Sequence, residues 1–103
     1  MAGLTSKSVR DLRDLLDRRE VSAVEVAAAH LDRIESLDEK TVRSLITRTR
    51  ELAEAQARLA DQRLASGEKT PLLGVPMILK DVLTTRGVRT TAGSKILEHF
   101  IPI

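Results

Sequence analysis

A chain of 103 residues with 42% apolar and 31% charged side chains has room for one small globular unit, and a net charge of only +2 argues against a dedicated nucleic-acid surface. The absence of cysteine excludes disulfide staples and thiolate metal sites, and the two separated histidines, His30 and His99, make no metal constellation. A single aromatic residue, Phe100, leaves the core to be built from Leu, Val, Ile and Ala.

Acidic and basic residues interleave, as in Arg10-Asp11-Leu12-Arg13-Asp14 and Glu54-Ala55-Gln56-Ala57-Arg58, a pattern of solvated helix faces. No apolar run approaches the roughly 18 residues of a membrane span. The N-terminus lacks the apolar centre of a signal peptide, so a cytoplasmic location is the expectation.

Residues before Ser8 read as a frayed leader. Ser8 is a good N-cap with Asp11 three residues on, and Val9, Leu12, Leu15 and Leu16 recur at helical spacing to about Arg19. Ser22-Ala23-Val24-Glu25 has the capping-box pattern for a second helix, with Val24, Ala27, Ala28, Leu31 and Ile34 as its apolar stripe, fading near Leu37-Asp38. His30, among alanines, reads as a structural histidine. Val42 to Thr47 is rich in β-branched residues, and Leu45-Ile46-Thr47 reads as a strand core. Thr49 starts a third helix that runs to about Ser66 and is closed by Gly67, with Leu52, Ala53, Leu59, Ala60 and Leu64 as its buried candidates.

The chain is organised around Pro71-Leu72-Leu73-Gly74-Val75-Pro76-Met77-Ile78-Leu79-Lys80-Asp81. Val75 to Leu79 reads as a short buried strand, apolar on both faces, with Pro76 near its start where a missing N–H is tolerated. Lys80 then stands at the strand's C-terminal end, where open α/β sheets place their chemistry. A lysine desolvated there is a usable general base; an ordinary strand-terminal lysine reaching water fits the same spacing. Val82 to Thr85 and Val88 to Thr91 read as a hairpin across Arg86-Gly87. Ser94 reads as the cap of a short helix through His99, and Phe100, Ile101 and Ile103 as an apolar end that needs cover from further chain.

The run from Gly74 through Lys80-Asp81-Val82 into Thr84-Thr85-Arg86-Gly87-Val88-Arg89-Thr90-Thr91-Ala92-Gly93-Ser94 resembles the amidase signature family, serine hydrolases with a Ser–cis-Ser–Lys triad. Within it, Ser94-Lys95-Ile96-Leu97-Glu98 followed by Phe100 and Pro102 is similar to the glutaminase subunits of tRNA-dependent amidotransferases. The resemblance implies an α/β fold: residues 1–103 as the N-terminal part of an amidase domain, with three helices in a region of about 8–66 and the first few strands of a larger mixed sheet in a strand and hairpin region of about 72–103. It places Lys80 on the family's catalytic lysine and assigns no cofactor-binding or metal-binding residue. The family's nucleophilic serine and cis-peptide serine lie in a downstream Gly/Ser-rich segment, which Ser6, Ser8, Ser22, Ser36, Ser44, Ser66 and Ser94 do not match. The 103-residue chain alone is therefore expected to be inactive.

By the same resemblance, the lysine amine bonds the cis-serine hydroxyl, which relays a proton from the nucleophilic serine, and backbone N–H groups hold the oxyanion. Glutamine is the implied substrate. The ammonia passes to another member of a heterotrimer, which uses ATP and Mg to amidate Glu-tRNA or Asp-tRNA. Asp81 either supports the base or serves the local backbone alone. Two other readings remain open: a free-acting amidase of small amides, and a non-enzymatic helical module that binds another protein.

Overall fold

The computed structural model describes residues 3–103. Three α-helices, α1 (Val9–Asp17), α2 (Ala23–Ser36) and α3 (Arg50–Ala65), carry the N-terminal two-thirds. Short 3-10 turns lie at Leu4–Ser6, Asp38–Lys40 and Lys95–Leu97.

The helix starts follow their sequence signals. Ser8 and Ser22 each accept a hydrogen bond from the backbone N–H three residues on, while Asp11 and Glu25 reach back to the cap N–H, so both capping boxes form. The α3 C-terminus is a Schellman closure: Gly67 N–H donates to the Leu64 carbonyl at 3.0 Å and Glu68 N–H to Arg63 at 3.1 Å, with Gly67 at φ 89°. α1 ends the same way on a residue with a Cβ, Arg19 at φ 59°. Thr49 precedes α3 without a side-chain cap bond.

The core lies between the three helices: Leu4, Leu12, Leu16, Val21, Ala23, Val26, Ala27, Ala57, Ala60, Leu64 and Leu73 are buried together. Leu4 is fully buried in its 3-10 turn, so the segment before Ser8 is a packed part of the core rather than a frayed leader; Met1 and Ala2 lie outside the described residues. In α3 the buried line is Ala57, Ala60 and Leu64, whereas Leu52 and Leu59 face out. Alanines occupy the contact because helices packed through small residues approach closely, and their larger neighbours turn to solvent. Val24 of α2 is likewise exposed, its place in the core taken by Val26.

The expected strands do not form: the described residues contain three helices and no strand, so the α/β sheet is absent here. Val75–Leu79 is irregular, with Met77 71%, Ile78 63% and Leu79 51% exposed. A strand is stabilised by its ladder, and no second strand is present to pair with this one, while Pro76 removes one N–H. Leu45-Ile46-Thr47 fails for the same reason: β-propensity measures fit to a sheet that neighbours must supply. The hairpin shrinks to one antiparallel bridge, Thr85 with Val88, closed by Val88 N–H donating to the Thr85 carbonyl at 3.0 Å.

What survives of the organising stretch is its docking. Leu73 is buried in the helical core, and its carbonyl accepts a hydrogen bond from Nη1 of buried Arg13 in α1. The Arg13 Nη2 pairs with Asp17 at 2.6 Å, so the buried cation is satisfied on two sides. Gly74 follows at φ 83°, pressed against Leu16 and Ala23.

Candidate active site

Lys80 is exposed and directly follows the apolar run. Its carbonyl accepts from Leu83 N–H at 3.0 Å, which closes a turn over residues 80–83. The next residue is fixed at three points. One carboxylate oxygen of Asp81, Oδ1, accepts from the Thr91 N–H at 3.0 Å, and the other, Oδ2, accepts a short bond from the Thr91 hydroxyl. The Asp81 carbonyl accepts from Ala92 N–H at 2.9 Å.

Thr91 is buried, 4% exposed, and Thr90 beside it is buried as well. The Thr91 hydroxyl, its N–H and the nearby Arg89 cation, in that order of effect, hold the Asp81 carboxyl below the ordinary aspartate range, against the opposing pull of desolvation. The Thr91 hydroxyl oxygen also accepts from Gly93 N–H at 3.1 Å, and the Thr91 carbonyl accepts from Ser94 N–H at 2.9 Å. Arg89 donates to the Thr47 hydroxyl at 3.2 Å and to the Glu98 carbonyl at 2.9 Å, while the Phe100 carbonyl accepts from Thr90 N–H at 3.0 Å. Residues 81–100 are therefore a hydrogen-bonded loop system whose most buried point is Thr91.

Ser94 caps the 3-10 turn, its hydroxyl accepting from Ile96 N–H at 3.2 Å, which is a structural use of that serine. The His30 Nδ1 bonds the Val26 carbonyl one turn back in α2 at 2.8 Å, again a structural use. Among the described residues no three His, Cys, Asp or Glu side chains gather as a metal site would need, and no helix is long and apolar enough to cross a membrane.

The sequence located Lys80 and Asp81 but not the partner of Asp81. Thr91 read only as the end of a β-prone run. Nothing local in the sequence indicates a partner ten residues away.

The sequence model of one family, described as Amidase, matches residues 25–103. Among curated proteins, the chain is 52% identical over 95 residues to a glutamyl-tRNA(Gln) amidotransferase subunit of Methylococcus capsulatus, covering 92% of this chain and 19% of that protein. The corresponding protein of Geobacter sulfurreducens is 53% identical over 95 residues, with the same coverage of 92% and 19%. That of Beijerinckia indica is 43% identical over 102 residues, or 99% of this chain and 20% of the relative. The chain thus spans about one-fifth of the length of the curated relatives it matches. With a family match across residues 25–103 and the Lys80-Asp81 run inside it, the chain belongs to the amidase family.

Proposed function

We propose that residues 1–103 are the N-terminal part of an amidase domain in the ammonia-releasing component of a tRNA-dependent amidotransferase, and that Lys80 is the base of its Ser–cis-Ser–Lys triad. The observation that carries this is the identity of 43–53% to proteins named as glutamyl-tRNA(Gln) amidotransferase subunits, across 92–99% of the chain. On this reading the complete cytoplasmic protein hydrolyses glutamine. Lys80 accepts, through a serine hydroxyl, the proton of a nucleophilic serine supplied from outside these residues. Other subunits receive the ammonia and bind the charged tRNA, and ATP with Mg supplies the activation of the tRNA-borne carboxylate there. This stretch by itself turns over no glutamine, because it contributes one member of the triad.

A free-acting amidase is the second reading, favoured by the general description of the matching family. It would hydrolyse small amides without partner subunits.

The test of the base is Lys80→Arg in the complete protein, with Lys80→Ala beside it. Arginine keeps the charge and effectively never gives up its proton, so a lysine needed as a base does not tolerate it. Both variants are expected to fold and to lose glutaminase activity. A Lys80→Arg rate within about tenfold of wild type, a barrier change of only about 1.4 kcal/mol, rejects the base role.

A further inference from the structure

We propose that Asp81 and Thr91 form the positioning clamp for Lys80, fixing the main chain from which the lysine amine reaches its partner; the inference rests on the reading of Lys80 as the base. A lysine amine sits on a flexible four-carbon stem, and a proton acceptor works only within hydrogen-bond reach of its donor. Lys80 is exposed and follows a run that no sheet holds, so the residues before it do not set its place. The residue after it does. Both Asp81 carboxylate oxygens face Thr91, and the Asp81 carbonyl takes the Ala92 N–H, which leaves the carboxylate acting on Lys80 through the backbone rather than as an ion-pair partner.

Burial separates this clamp from ordinary loop stabilisation. Beyond Leu73, no apolar side chain among the described residues is buried, and the buried side chains there are Thr90 and Thr91. Burial in this half of the chain is thus concentrated on the partner of Asp81 and its neighbour. The clamp also passes through the Gly93 and Ser94 N–H groups into the Ser94 cap, which gives its far end a stiff base.

The experiment uses the complete amidase with its partner subunits, glutamine as substrate, and the variants Asp81→Asn, Thr91→Val and Thr91→Ser. Thr91→Val keeps the shape and removes the hydroxyl donor; Thr91→Ser keeps the donor. Misplacing a reacting group by about 1 Å costs up to about a hundredfold in rate. Asp81→Asn and Thr91→Val are therefore expected to lower kcat by about 10- to 100-fold with KM within about twofold, and Thr91→Ser to restore kcat to within about threefold. The proposal is overturned by folded Asp81→Asn and Thr91→Val proteins with kcat within about threefold of wild type. It is equally overturned by loss of folding in both, which assigns the pair to stability. Lys80→Arg, measured alongside, separates the two levels. If that variant is active the base reading fails and the clamp positions nothing; if it is dead while the clamp variants are active, the clamp alone fails.

Discussion

Gly74 shows how much of this structure rests on single positions. Its φ of 83° belongs to the left-handed region, and a Cβ built there would lie 3.0 Å from Leu16 Cδ1 and 3.3 Å from the Ala23 Cβ. Leu16 is fully buried and Ala23 has no rotamer with which to retreat, so neither neighbour yields easily. Gly67, at φ 89°, meets nothing within 4 Å. Gly67→Ala should carry only the backbone cost of a Cβ in the left-handed region, about 1–2 kcal/mol, whereas Gly74→Ala adds overpacking of about 1–3 kcal/mol. Chemical denaturation of the two variants, measured in the complete protein, checks the order. Equal losses would mean that the loop lifts away from α1 and α2 without penalty. The glycine was visible in the sequence as punctuation before an apolar run; that it wedges against α1 and α2 was not, because those contacts come from residues about fifty positions upstream.

At the scale of the element, the α2 N-terminus leaves none of its free N–H groups without a partner. The Ser22 N–H donates to the Glu25 carboxylate at 2.8 Å and the Glu25 N–H to the Ser22 hydroxyl at 3.0 Å. The two remaining N–H groups, of Ala23 and Val24, donate to the two carboxylate oxygens of Asp61 in α3, at 2.6 and 3.1 Å. All four orphan donors of the helix start thereby have partners, and an anion stands at the positive end of the helix dipole. Asp61 also ties α3 to α2 near the buried Ala57, Ala60 and Leu64 line. Asp61→Ala should cost about 1–2 kcal/mol, seen as a lower denaturation midpoint with an unchanged slope. A midpoint unmoved by the substitution would show that water replaces the carboxylate at no loss. The two capping boxes were legible because their partners are three residues apart. Asp61 was not, because the residue it caps lies 38 positions away.

At the scale of the whole molecule, the two halves differ in what covers them. The radius of gyration is 14.9 Å, against roughly 13 Å for a compact chain of this length, and the extents are 46 × 32 × 20 Å. The excess accompanies a half whose apolar residues face water: Met77, Ile78, Leu79, Val82, Leu83, Ile96, Phe100, Ile101 and Ile103 are all exposed. Such a surface associates. The 103-residue chain made alone is expected to be helical by circular dichroism, to bind a hydrophobic dye, and to sediment as concentration-dependent oligomers. A sharp cooperative melt from a dye-silent monomer would instead identify it as an independent domain. The helices could be read from the sequence because a helix satisfies its backbone within itself. The strands could not be read the same way, since Val75–Leu79 and Leu45–Thr47 carry strand composition, yet a strand also needs a neighbour's ladder, and among the described residues none supplies one.

The bond from Arg13 to the Leu73 carbonyl spans 60 residues of sequence and therefore also orders events in time. Synthesis runs from the N-terminus, and domains form in that direction as the chain emerges. Arg13 meets its acceptor only when Leu73 has left the ribosome, and the apolar run of residues 75–79 follows within a few additions, behind a residue already moored to the helices. A segment moored in this way meets other parts of its own chain as an intramolecular reaction at high effective concentration, ahead of encounters with neighbouring nascent chains. The latch at Leu73, just ahead of the run, is thus expected to favour contacts within the chain over the intermolecular pairing on which aggregates begin.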